Sequence, residues 1–81
     1  MKIRVQFYAQ LRDLVGTSNL NVDVREGATV NEVIEKVYDL KPALRAQDNT
    51  TLVGSGVDFV ERNHVLREGD EVALMPPVQG G

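Results

Sequence analysis

Residues 25–42 read REGATVNEVIEKVYDLKP, and the punctuation of this stretch decides what fold the remaining chain can make. Gly27 marks a turn, and Thr29 is followed three residues later by Glu32. That spacing predicts a capping box, in which the Thr hydroxyl and the Glu carboxylate each satisfy an orphan backbone N–H at the start of a helix. Val30, Val33, Ile34 and Val37 then recur at i, i+3, i+4 and i+7, which draws one apolar stripe along the helix and leaves Asn31, Glu35 and Lys36 away from it. Pro42 ends the helix, because it cannot donate to the ladder and restricts the residue before it. An amphipathic helix of this kind must lay its stripe on something.

The flanking sequence supplies a sheet. In KIRVQFY, residues 2–8, Ile3, Val5 and Phe7 alternate with Lys2, Arg4, Gln6 and Tyr8, the period of a half-buried strand. AQLRDLVG places Leu11, Leu14 and Val15 at helical spacing over about two turns and stops on Gly16 as a C-terminal cap. LNVDV, residues 20–24, alternates again and is expected to pair with the first strand as a hairpin around that helical turn. ALRAQDNT reads as polar loop, TLVGSGVDFV as a strand, a glycine turn and a short strand, and ERNHVLREGD as a turn-rich connection. EVALMP is the last strand. The fold class that follows is α+β: a roll with a mixed sheet of four to five strands and one main helix packed across Ile3, Val5, Val22, Val24, Val72 and Leu74.

The chain has 81 residues, room for one domain. We take residues 1–75 as that domain and 76–81 as an extended, flexible C-terminal tail. A net charge of −3, with scattered Lys and Arg, argues against nucleic acid as a partner. With no cysteine, a disulfide framework, a Cys-ligated zinc site and a side-chain thiol nucleophile are excluded. MKIRVQFYAQ holds no apolar run of the length a signal sequence or a membrane span requires, so the expected setting is cytoplasmic, with no membrane partner.

Side-chain chemistry is sparse. His64 is the only histidine and sits in a turn-rich segment, the usual place of a surface residue; no metal site is expected. VGSGV, residues 53–57, lacks both the G-x-S-x-G spacing of a nucleophile elbow and the Gly-Lys-Ser/Thr ending of a phosphate loop, and reads as a strand-ending turn. From Asp58 to Glu71 five carboxylates stand against Arg62 and Arg67, a run suited to steering a basic partner. Phe59 and Met75 divide between core and exposed patch; with Phe7 they are the candidates for an apolar contact surface at the base of the tail.

That tail, MPPVQGG, residues 75–81, is where chemistry concentrates. Pro76 and Pro77 keep the chain from continuing as a central strand and favour an extended path. From Pro76 to Gly81 it reaches roughly 20 Å when extended. Val78 continues the spacer, and Gly80 and Gly81, lacking Cβ, can thread a channel too narrow for other residues. A terminal carboxylate on Gly81 has a pKa of about 3.3–3.7 and is a poor acyl electrophile as the anion. To do chemistry it must first be activated, for example as an acyl adenylate made with ATP, from which a sulfur donor could displace AMP and leave a thiocarboxylate. Its anionic sulfur is nucleophilic for the reason a thiolate is.

VQFYAQLRDLVG near the start, REGDEVALMPPVQGG at the end and the chain length together resemble the small-subunit family of molybdopterin synthase, within the wider family of ubiquitin-like sulfur carriers. The resemblance spans essentially the whole chain, and its most specific element is PPVQGG. It implies a β-grasp (ubiquitin-like) fold. It also implies adenylation of Gly81 by an E1-like activating enzyme that supplies the ATP, with no cofactor bound by the chain itself, and sulfuration by a donor such as a cysteine desulfurase. The tail then enters the large catalytic subunit, where sulfur passes to cyclic pyranopterin monophosphate to build the molybdopterin dithiolene. The implied assembly is a heterotetramer, in which the chain is a non-catalytic, sulfur-donating subunit. Many relatives carry an Ala-Val-Asn-like stretch where this chain has LVGSGVDFV, so the Gly54-Ser55-Gly56 turn is expected to differ. The acceptor stays open: carriers of this type also serve thiamine thiazole or cysteine synthesis, or are conjugated to proteins through Gly81. A plain interaction domain with an idle tail is a further alternative.

Overall fold

The structure, a computed structural model, describes residues 1–77. Strand β1 (Lys2–Phe7) leads through a short helix α1 (Gln10–Val15) to β2 (Asn19–Asp23). Helix α2 (Val30–Leu40) and a 3-10 helix (Pro42–Thr50) follow, and then β3 (Leu52–Ser55), β4 (Asp58–Phe59) and β5 (Glu71–Met75). The five strands form one mixed sheet in the order β2-β1-β5-β3-β4. β1 and β5 lie side by side in parallel, Val5 against Val72 and Phe7 against Leu74, and every other pairing is antiparallel. This is the α+β roll expected, with the first and last strands at its centre.

Alternation does what it promised: Ile3, Val5, Phe7, Val22, Val72 and Leu74 are buried on one face. Helix α2 lies on that face with Val30, Val33, Ile34 and Val37 fully enclosed. Each such aliphatic side chain contributes about 1.5–3 kcal/mol when taken from water. Val24 lies past the end of β2 and is only partly buried, packed against the edge of the core. α1 ends on Gly16 as expected, but of its apolar residues only Leu11 enters the core.

The start of α2 is closed from two directions. Thr29 Oγ1 accepts the Glu32 N–H at 3.3 Å, while the Val30 and Asn31 N–H groups donate to the carbonyls of His64 (2.9 Å) and Arg62 (2.8 Å). The reciprocal half of the capping box is weak. Glu32 turns its carboxylate to Arg25 at 2.7 Å, and that bond is the leading cause that lowers its pKa; the Thr29 backbone contributes least.

Residues 43–50, which read as loop, form with Pro42 a 3-10 helix instead. Pro42 presets its first turn, and Leu44, the one leucine in a polar stretch, is buried beneath α2 and anchors it. A polar clasp completes the seam: the Tyr38 hydroxyl donates to Asp48 Oδ1, which also accepts Arg62 Nη1 at 2.7 Å, and the Arg45 guanidinium lies 5.2 Å from the centre of the Tyr38 ring. Burial first, and then the Asp48 carboxylate, push the Tyr38 phenol up to about 12. The bond from Tyr38, followed by that from Arg62, holds Asp48 below the ordinary carboxylate value against the opposing effect of burial. A carboxyl with a depressed folded pKa stabilises above its unfolded value, near 3.9, and that contribution disappears as pH falls through the folded value. Acid titration followed by circular dichroism should therefore show stability falling below about pH 4. Asp48→Asn should be less stable at pH 7 and show a shallower decline across that acid window.

Candidate functional site

The sheet face turned away from α2 carries the side chains that alternation places outside. Register sets Gln6, Ala73, Gly54 and Phe59 in one row across four strands. Gly54 is small for a steric reason. A Cβ on Gly54 would lie 3.2 Å from the Asp58 carbonyl oxygen and 3.3 Å from Met75 Cε, a tight fit that would push Met75 or the β4 backbone aside. The following turn joins Ser55 to Asp58 through two residues. Gly56 has φ 63°, and Val57 is not among the residues with positive φ, the pattern of a type II′ hairpin. The Gly-Ser-Gly sequence thus gives a floor and a tight turn rather than any nucleophile or phosphate site.

Between these elements lies a shallow hollow of about 170 Å³, walled by Tyr8, Val57, Phe59 and Met75 over Gly54 and Ala73. Its walls are apolar and open to solvent: Val57 is 100% exposed, Phe59 72% and Tyr8 45%. Clustered exposure of this kind on a small domain marks a contact surface. Asp58 stands at its edge, and Asp70, just before β5, and Glu71, its first residue, lie close by, with Glu71 accepting from Gln6 Nε2 at 2.9 Å. The hollow is apolar with an acidic flank.

Of the three residues expected at a contact surface, Phe59 and Met75 line this hollow and Phe7 does not. Phe7 is 2% exposed because the same alternation that buries Ile3 and Val5 turns it into the core. Its neighbour Tyr8 occupies the outer position. Period-two reading had put Tyr8 on that face, so the signal was available; Val57 gave none, being a lone apolar residue in a turn.

β5 ends at Met75, and Pro76 (half-buried) and Pro77 (exposed) carry the chain outward. Beneath them is a second groove of about 330 Å³, between α1 and the end of the 3-10 helix, lined by Leu11, Leu14, Gln47 and Thr51 among others and holding no charged residue. The strand from which the tail leaves is therefore flanked by an acid-edged apolar hollow on one side and a neutral groove on the other. Val78, Gly80 and Gly81 lie outside the described residues. His64 is exposed, and among the described residues no three His, Cys, Asp or Glu side chains gather as a metal site would require.

A sequence model of the ThiS family matches residues 5–81. The chain is 37% identical to the molybdopterin synthase sulfur carrier subunit of Escherichia coli, over 98% of this chain and 99% of that one. SAMP1 (small archaeal modifier protein 1) from Haloferax volcanii superposes with a TM-score of 0.89 at 27% identity, over the whole of both chains. A protein–protein complex of subunits 1 and 2 of molybdopterin-converting factor from Helicobacter pylori contains a chain with the same fold, at a TM-score of 0.71 and 21% identity over the full length of both.

Proposed function

The chain belongs to the ThiS family, and from that membership we propose that it is the sulfur carrier subunit of a molybdopterin synthase, with Gly81 as the acyl group that carries sulfur. The observation that carries this reading is the placing of Pro76 and Pro77 directly after the central strand, whose last residue, Met75, lines the exposed apolar hollow. The 37% identical E. coli relative bears the name of that subunit.

The chemistry runs in balanced steps. A Gly81 carboxylate oxygen attacks the α-phosphate of ATP on an E1-like adenylating partner, releasing pyrophosphate. The outer sulfur of a donor's persulfide, such as a cysteine desulfurase carries, then attacks the acyl carbon; AMP leaves with the electron pair of the broken C–O bond, and a thiol reductant supplies the two electrons that cleave the S–S bond of the acyl disulfide. The resulting thiocarboxylate is delivered to the large subunit, where its sulfur attacks a side-chain carbon of cyclic pyranopterin monophosphate and the oxygen on that carbon leaves, as the opened phosphate ester or as water. Hydrolysis of the acyl–sulfur bond returns the carboxylate. The chain contributes no acid or base to these steps; it presents and positions the acyl group. No helix among the described residues is long and apolar enough to cross a membrane, and cytoplasmic action in a heterotetramer with two large subunits completes the proposal.

Intact-mass spectrometry tests it directly. Incubation with ATP, the adenylating enzyme and a sulfur source should exchange one oxygen for sulfur at the C-terminus, and the product should support molybdopterin formation with the large subunit. An unchanged mass would defeat the proposal. The likeness to an archaeal modifier protein favours conjugation through Gly81 as the second reading; lysine-linked adducts in cells, with no large subunit recovered in a pull-down, would select it.

Docking is assigned to the outer hollow. Phe59→Ala should weaken binding to the large subunit by 1–3 kcal/mol, roughly 5- to 150-fold in Kd, as truncation of an aromatic anchor does. Its melting temperature should change little, since the side chain is mostly in solvent. Isothermal titration calorimetry beside a thermal melt separates the two effects.

A further inference from the structure

Four glycines, Gly16, Gly27, Gly56 and Gly69, adopt positive φ among the described residues; Ala9 is the one residue that does so with a side chain. Its angles, φ 51° and ψ −127°, belong to the first central position of a type II′ turn. The Leu11 N–H donates to the Tyr8 carbonyl at 3.1 Å and closes that turn over Tyr8, Ala9, Gln10 and Leu11. The protein thus makes the II′ turn twice. At Ser55–Asp58 it uses glycine in the strained place, and at Tyr8–Leu11 it uses alanine.

The alanine turn is clamped at both ends. Phe7 and Leu11 are held in the core. The Tyr8 N–H donates to the Leu74 carbonyl at 3.2 Å, and the Ala9 carbonyl accepts from Arg12 at 3.1 Å and Asp13 at 3.3 Å. Tyr8 is left as a wall of the outer hollow, while Gln10, Leu11 and Leu14 line the groove under Pro76 and Pro77. Ala9 therefore stands at the fork where the chain parts to the two sides of the tail exit. Strain of this kind survives where surrounding contacts over-determine it, and it collects at functional surfaces.

On the reading that the outer hollow receives the large subunit, we propose that Ala9 is a positioning residue: it holds a glycine-type turn without glycine's freedom and so keeps Tyr8 fixed as a docking wall before the partner arrives. Glycine here relieves the strain but lets the turn explore other conformations, and the order must then be restored on binding.

Two full-length variants test this. Ala9→Gly should melt higher, by about 4–8 °C, and yet bind the large subunit with a Kd raised roughly three- to tenfold. Replacing Ala9 by D-alanine through total chemical synthesis gives the observed angles to a residue for which they are the mirror of φ −51°, ψ 127°, an unstrained turn conformation for an L-residue. That protein should also melt higher while binding as tightly as the natural chain, because it keeps a Cβ and its stiffness. A purely structural role for Ala9 would move the melting temperature alone. Wild-type affinity in Ala9→Gly, alongside weakened binding in Phe59→Ala, overturns the proposal and leaves the docking surface standing. A lower melting temperature in Ala9→Gly overturns it too. If Phe59→Ala and Ala9→Gly both bind normally, the assignment of the docking surface fails, and the proposal with it.

Discussion

Deleting Gly81 is expected to abolish sulfur transfer while leaving docking to the large subunit intact. The proposed reaction centre is the terminal acyl carbon, and no side chain on the chain supplies a substitute: cysteine is absent altogether. Shortening the arm by one residue leaves the terminal carboxylate on Gly80 and withdraws it by about 3.3–3.6 Å. A misplacement of 1 Å already costs about 10²-fold in a step that depends on alignment. Molybdopterin formation by the reconstituted synthase should therefore fall by more than about 10²-fold. The outer hollow is untouched by the deletion, so the Kd for the large subunit, measured by calorimetry, should stay within a few-fold of wild type. Gly80→Ala should fall between the two, since its added Cβ must pass wherever the arm is threaded. Undiminished product from the shortened chain would show that the terminus is not the cargo site.

Ile34→Ala is expected to have the largest effect on the fold. Ile34 is fully enclosed at the middle of the α2 stripe, where the helix meets the sheet. Removing three buried carbons and leaving a cavity costs about 2–5 kcal/mol. At 0.05–0.15 kcal/mol per residue, a chain of 81 residues has roughly 4–12 kcal/mol in total. The melting temperature should drop by about 10–30 °C, and at the upper end of the cost the variant is largely unfolded at physiological temperature. With no disulfide to hold the chain together, nothing offsets the loss. A drop of only a few degrees would mean that the helix does not seat on the sheet as described.

What could be read from the residues follows a physical division. Val30, Val33, Ile34 and Val37 announced α2, and Ile3, Val5 and Phe7 announced β1, because burial of a regular element imposes its period on the sequence. Residues 42–50 have no such period. A single leucine at position 44, seated under α2, is enough to organise them, and one large apolar side chain in nine carries no pattern. The contact surface was legible in part. Phe59 and Met75 were drawn from their nearness to the tail, but Phe7 came from the same rule against its own alternation, and Tyr8 was the residue that alternation exposes. Glu32 kept its place in the capping box but not its whole role, because Arg25 lies seven positions back and offers a stronger partner. Ala9 was invisible from sequence: alanine there reads as an ordinary helix start, and only the backbone angles show it doing a glycine's task.

The parallel pairing of β1 with β5 bears on how the chain comes into being. β5 is the last strand in sequence, yet it lies between β1 and β3, and the bond from Gln6 to Glu71 joins residues 65 positions apart. Until β5 is in place the sheet consists of two separate pieces, β2 with β1 and β3 with β4, and closing so long a loop is the slow, non-local part of folding. During synthesis this strand emerges after β1, β2, β3 and β4. A chain stalled before β5 therefore lacks the strand that joins the two pieces of the sheet and cannot complete the fold.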